Sequence, residues 1–173
     1  RDMAFVQFHP TALVATDAGP TFLVSEAVRG AGARLLRADG SALMEHEHPK
    51  GDLAPRNVVA RVIHREMQQN DVPNVWLDAS AIGAQRFAAE FPAIDRRCRG
   101  MGLVPGLDPI PVAPAAHYFC GGIRTDDRGR TELAGLYAVG ECASSGLHGA
   151  DRLASNSLLE ALVIPTRAVE AVL

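Results

Sequence analysis

The sequence predicts a mixed fold of β-strands and α-helices, and three observations carry that expectation. Met3-Ala-Phe-Val-Gln-Phe8 alternates well enough for a strand. Val58, Val59, Val62, Ile63 and Met67 recur at helical spacing behind Pro55, which takes the favoured first position of a helix. Leu136-Tyr-Ala-Val139 reads as a short buried strand that ends in Gly140-Glu141. A glycine-loosened loop then leads to a helix expected to begin near Asn156, because Ser157-x-x-Glu160 ahead of an apolar run is a capping box.

The remaining elements follow in chain order. Thr16 to Pro20 is a loop, and Thr21 to Gly30, with Phe22, Leu23 and Ala27 spaced along it, reads as a short helix ending in glycines. Ala33 to Arg37, a turn at Ala38-Asp-Gly40, and Ser41 to Met44 make a hairpin. Glu45 to Lys50 is a polar loop. Val75-Trp-Leu77 is a strand, and Ser80 to Arg99 is helical with a break at Pro92. Met101 to Pro111 is an irregular connector. Ile110 to Ile123 contains strand material, and Asp126 to Gly129 is a turn. Pro165 falls inside the last helix, where an interior proline costs about 3 kcal/mol and predicts a kink.

The 173 residues suffice for one domain with a sound core, and 47% hydrophobic with 21% charged residues is ordinary for a soluble globular protein. A net charge of −3 argues against a nucleic-acid partner. No run reaches the roughly 18 apolar residues of a membrane span. Cys98, Cys120 and Cys142 lie far apart without C-x-x-C spacing. They fit a reduced, cytoplasmic protein, as small core residues, and imply no metal site.

The richest stretch is Gly146 to Glu160, which joins a loop, one arginine and a helix start. A helix start exposes unpaired N–H groups and a partial positive charge, which suits an anionic ligand edge. Arg152, on the loop, can grip a carboxylate with two parallel hydrogen bonds.

Gly-Leu-His-Gly-Ala-Asp-Arg-Leu-Ala-Ser-Asn-Ser-Leu-Leu-Glu at 146–160 resembles the flavoprotein family of L-aspartate oxidase, succinate dehydrogenase and fumarate reductase. The resemblance continues in family order through Gln7-Phe-His-Pro-Thr-Ala-Leu13, Ser25-Glu-Ala-Val-Arg-Gly30, Leu53-Ala-Pro-Arg56 and Pro114-Ala-Ala-His-Tyr-Phe-Cys-Gly-Gly-Ile123. Ala115, Cys120 and Leu153-Ala-Ser155 lean toward the L-aspartate oxidase branch. Asp151 stands where that branch has Asn, Ser25 where many relatives have Thr, and Pro165 where Gly is usual.

The resemblance implies an α+β capping domain plus a returning segment of an α/β FAD-binding (Rossmann-like) domain, in an incomplete chain. Residues 1–8 would end an FAD-domain strand, 9–116 form the substrate-capping domain, and 117–173 return into the FAD-binding domain. Incompleteness is expected because no Gly-x-Gly-x-x-Gly unit is present; Gly30-Ala-Gly32 lacks the third glycine and follows a helix-like segment. The implied activity is FAD-dependent oxidation of L-aspartate to iminoaspartate. Hydride passes from the substrate Cα to FAD, and O2 or fumarate reoxidises the flavin. The product feeds quinolinate and NAD biosynthesis in the cytoplasm, with quinolinate synthase as a candidate partner. Two alternatives stand beside it. One is a fumarate reductase or succinate dehydrogenase flavoprotein subunit acting on another C4 dicarboxylate. The other is that the isolated chain is a non-catalytic folded module that keeps no FAD.

A dicarboxylate needs several fixed cations or donors, because two charges must leave water. The resemblance places His9, Ser25 and Glu26 around one carboxylate end and His117 and Arg152 around the other. It makes Arg56 the catalytic proton donor or acceptor, brings Ser157 and Leu158 to the flavin through their backbone, and sets Glu141 against FAD. Plainer readings exist: histidines bonded to backbone, Arg56 as a surface arginine paired with Asp52, Glu141 as a solvated carboxylate. Arginine is a poor base, so Arg56 is either a relay whose proton is replaced at once or an electrostatic clamp. The residues alone leave that choice open.

Overall fold

A computed structural model of the chain describes residues 1–15 and 20–172, in two compact units. One is Phe8–Ala115; the other joins Arg1–Gln7 to Ala116–Leu173. Of the loop expected at Thr16 to Pro20, all but Pro20 lies outside the described residues.

A four-stranded sheet has the order β1 (Val6–Leu13), β4 (Ile110–Phe119), β3 (Val75–Asp78), β2 (Arg34–Leu36). Antiparallel register sets Leu35 opposite Leu77 and Leu77 opposite Ile110. All three are fully buried, so one apolar row crosses three strands and forms the floor of the core. The hairpin after β2 closes through Arg37 N–H to Ser41 O and Leu43 N–H to Leu35 O.

Helix α2 (Arg56–Asn70) lays Val59, Val62 and Ile63 into that core with Val58 and Met67 partly buried against it, the stripe its spacing predicts. Pro55 caps it from outside the helix, where a missing N–H costs nothing. Asp71 ends it in the left-handed region (φ 50°), a conformation its short polar side chain tolerates. The expected break at Pro92 separates α3 (Ala84–Glu90) from α4 (Pro92–Arg99). The first of these starts only at Ala84, after Gly83 turns the chain at φ 78°.

The helix expected over Thr21 to Gly30 is shorter. Only α1 (Glu26–Gly30) is helical. Thr21 to Val24 is extended because Leu13 N–H reaches Phe22 O and Val24 N–H reaches Thr11 O, each at 2.8 Å. Pairing with β1 satisfies the backbone that a helix would otherwise have claimed.

In the other unit β5 (Ile123–Arg124) pairs parallel with β6 (Ala143–Ser144), and α5 spans Ala154–Val172. Three expectations are corrected there. Leu136 to Val139 is not a strand but makes a single bridge, Tyr137 to Arg130, because the facing segment is curled. The Asp126 carboxylate takes the N–H groups of both Arg128 and Arg130 and bends it. The capping box at Ser157 does not form: α5 begins at Ala154, and Glu160 turns inward instead of back to Ser157. Cys142 is exposed, unlike the buried Cys98 and Cys120. Pro165 does not end α5, which continues to Val172. Among the described residues no helix is long and apolar enough to cross a membrane.

Candidate functional site

In the Phe8–Ala115 unit the predicted residues gather at the start of two helices. Ser25 caps α1, its Oγ accepting from Ala27 N–H at 3.2 Å. Capping leaves Glu26 in the first turn with its carboxylate facing two guanidinium groups. Arg56, at the head of α2, grips it as a fork: Nη2 donates to Oε2 at 3.0 Å and Nε to Oε1 at 3.2 Å. Arg29 donates to Oε1 from the other side at 3.3 Å. Arg29 is buried and also donates to the Asp52 carbonyl, while the Asp52 carboxylate takes Leu35 N–H at 2.8 Å. Arg56 is therefore not the exposed arginine of the plainer reading: its side chain is 13% exposed and its fork closes on Glu26, thirty residues earlier.

Two guanidinium groups, Arg56 and Arg29, thus share the Glu26 carboxylate, and the Asp52 carboxylate adds its charge beside Arg29. Burial acts to raise the Glu26 carboxyl, but Arg56 and then Arg29 outweigh it and hold the group below its ordinary 4.5. Burial likewise draws Arg29 below the usual arginine value, against the pull of Glu26 and Asp52.

His9 is buried on β1, where its Nδ1 accepts from Thr11 N–H at 3.2 Å. An accepting Nδ1 leaves the neutral ring's proton on Nε2, so that nitrogen is the donor.

In the second unit Arg152 is the best-anchored cation. Its Cζ lies 3.8 Å over the centroid of the Tyr118 ring. Nη1 donates to Gln7 Oε1 at 3.1 Å, and Nε donates to Ser157 Oγ. Gln7 returns the grip through Nε2, donating to the Arg152 carbonyl at 2.6 Å and to Asp151 Oδ1 at 3.0 Å. No acidic side chain among the described residues pairs with the Arg152 guanidinium. Burial raises the Tyr118 phenol, with Ser157 and Arg152 opposing and Glu160 and Glu141 adding, so the ring under Arg152 stays neutral.

His117 is half-buried beside Tyr118 on β4. With α5 starting at Ala154, Ser157 and Leu158 lie in its first two turns. Ser157 serves Arg152 through its hydroxyl, and Leu158 is 75% exposed. Glu141 Oε1 accepts from Phe119 N–H at 3.2 Å; its other oxygen makes no hydrogen bond among the described residues. It borders an open, mostly apolar cleft of about 700 Å³ between Met3, Phe119, Gly122, Ile123 and Cys142. A Cβ at Gly122 would stand 2.4 Å from the Cys142 carbonyl, so only glycine fits. Among the described residues no group of three His, Cys, Asp or Glu could hold a metal.

Sequence reasoning missed Arg29, Gln7, Tyr118, His148 and Glu160. All five stand inside the motifs quoted above, so the signal was position within a motif rather than residue type.

Residues 1–158 match the family described as FAD binding domain. The chain is 53% identical over 168 residues to L-aspartate oxidase of Streptomyces coelicolor, covering 96% of this chain and 29% of that protein. It is 53% identical over 171 residues to L-aspartate oxidase of Mycobacterium tuberculosis, covering 98% and 32%. Among solved structures, a quinol-fumarate reductase with menaquinol molecules superposes with a TM-score of 0.87 at 37% identity, covering 99% of this chain and 32% of that one. Mycobacterium smegmatis Sdh1 in complex with UQ1 gives 0.70 at 35%, covering 96% and 28%. The chain thus spans about a third of the length of these relatives.

Proposed function

Because the chain belongs to the FAD-binding family of flavoproteins that includes L-aspartate oxidase, we propose that it forms part of an FAD-dependent enzyme oxidising L-aspartate to iminoaspartate. The observation that carries this reading is Arg152. A guanidinium held by a glutamine, a serine and a tyrosine face, with no acidic partner among the described residues, keeps its charge for an anionic ligand. A substrate carboxylate is that ligand.

His117, next to Tyr118 in the β4 sequence, is the second donor assigned to the carboxylate. In the other unit His9, Ser25 and Glu26 are assigned to the other carboxylate end. FAD supplies the hydride acceptor when bound. The residues fit it: the open apolar cleft suits a planar ring system, Glu141 has an oxygen for a hydroxyl, and the exposed Leu158 offers apolar contact.

Removing hydride from a carbon beside an amine also requires loss of a proton. Arg56 is the group assigned to it. A charged guanidinium can take up that proton only as it hands one of its own on at once, here toward the Glu26 carboxylate it grips. The forked contact with Glu26, itself joined to Arg29, supports a relay over a bare electrostatic clamp. O2 or fumarate as acceptor, a cytoplasmic site, supply of iminoaspartate toward quinolinate and NAD, and quinolinate synthase as partner belong to the same proposal. A fumarate reductase or succinate dehydrogenase role is the second reading, favoured by the backbone likeness to quinol-fumarate reductase.

The test is the intact protein assayed with L-aspartate and with succinate, following flavin reduction and peroxide. Turnover with aspartate and peroxide release supports the first reading. Turnover with succinate alone replaces it by the second.

A further inference from the structure

The proposed function leaves one buried cluster unused. Glu160, in the second turn of α5, and His148, in the glycine-bearing loop, are both almost fully enclosed, with side-chain exposures of 2% and 4%. His148 Nε2 lies 2.7 Å from Glu160 Oε2, and Ser145 Oγ donates to Oε1. A buried carboxylate is tolerated when its oxygens are satisfied, and both of these are. The pair ties together three segments: the end of β6, the loop of Gly146 (φ 91°) and Gly149 (φ 55°), and α5. Without such a tie, a loop with two left-handed glycines would be loose.

The cluster also touches the support of Arg152. The His148 and Tyr118 rings meet at 85° with centroids 5.5 Å apart, and Tyr118 Oη is 3.4 Å from His148 Nε2. Tyr118 is the ring over which Arg152 lies, and Arg152 follows His148 by four residues on the same loop. His148 therefore reaches Arg152 by two routes, one through the loop backbone and one through the tyrosine.

We propose that His148 and Glu160 are positioning residues. They fix the Tyr118 ring and the loop, and so set where the Arg152 guanidinium points, without touching substrate themselves. This rests on the reading of Arg152 as the carboxylate cation and adds the device that aims it.

The experiment is a double-mutant cycle on the intact flavoprotein, with succinate dissociation followed by flavin absorbance. His148→Ala should weaken succinate about tenfold with flavin content unchanged. His148→Gln, whose amide nitrogen reaches where Nε2 stands, should restore binding to within about twofold. In an Arg152→Ala background, His148→Ala should add no further loss. Additive losses would show that His148 acts elsewhere and would overturn the proposal. A crystal structure of His148→Ala gives a readout independent of substrate: the Arg152 guanidinium should shift on the Tyr118 face by about 1 Å or more. An unmoved guanidinium overturns the proposal whatever ligands do, whereas normal succinate binding by Arg152→Ala alone counts against the functional reading instead. If His148→Ala does not fold, Glu160→Gln, which keeps the volume, replaces it in the same cycle with the same deciding outcomes.

Discussion

Replacing Glu26 by glutamine isolates what the carboxylate does between Arg29 and Arg56. Its side chain is 37% exposed, while those of Arg56 and Arg29 are 13% and 3% exposed. An exposed ion pair contributes roughly 0.2–1 kcal/mol, and stripping one partner from a fully buried pair costs roughly 3–5 kcal/mol. Glu26 lies between these limits, and solvent screens it, so a loss of about 2 kcal/mol is expected, mostly from the buried Arg29 left beside Arg56. Trp76, the one tryptophan of the chain, sits on β3 in the same unit and makes urea unfolding readable by fluorescence. With a urea slope of about 2 kcal/mol/M the midpoint should fall by about 1 M at neutral pH. The pH dependence has a definite sign. The folded carboxyl lies below its ordinary 4.5, so its contribution is present above that value and is lost as pH falls through the lower folded value. Wild type and Glu26→Gln should therefore differ from neutral pH down to mild acid and converge at stronger acid. A difference below about 0.5 kcal/mol at pH 7, or one that stays constant into acid, would refute the assignment of Glu26 as an ionised bridge.

Two further predictions concern the other unit and the thiols. In the intact protein Arg152→Ala should raise the Michaelis constant for L-aspartate at least about tenfold with a normal flavin spectrum, because a buried carboxylate loses a charged partner worth roughly 2–5 kcal/mol. An unchanged constant would remove Arg152 from the site. Burial, then Asp95, push the Cys98 thiol up to about 11, so at neutral pH it holds its proton and should resist iodoacetamide until the chain unfolds. The exposed Cys142 should alkylate in the native state, as peptide mass spectrometry will show, and fast labelling of Cys98 would contradict the buried placement.

Local signals carried the elements whose sequence pattern and tertiary environment agree. The α2 stripe, the Pro92 break and β3 are of that kind. Distant partners decided the rest. Phe22 and Leu23 have helical spacing, yet their backbone pairs with β1. Ser157 and Glu160 have the spacing of a capping box, but Arg152 and His148 take their side chains. Asp52 is four residues from Arg56 and was the natural partner by proximity, whereas Glu26 is thirty away and forms the fork. The family motifs carried His9, Glu26, Arg56 and Arg152 as single positions. How Gln7, Tyr118 and Arg29 support them depends on strand and helix packing that no spacing encodes.

Anaerobic rapid mixing of the intact flavoprotein with L-aspartate tests the central claim most directly, since it isolates the hydride and proton step from reoxidation. Wild type should bleach its flavin. Arg56→Lys keeps a cation but loses the planar fork onto Glu26, and its flavin reduction should slow at least about a hundredfold while aspartate still binds. A near-normal rate in the lysine variant, or no bleaching of the wild type by aspartate, would contradict the account.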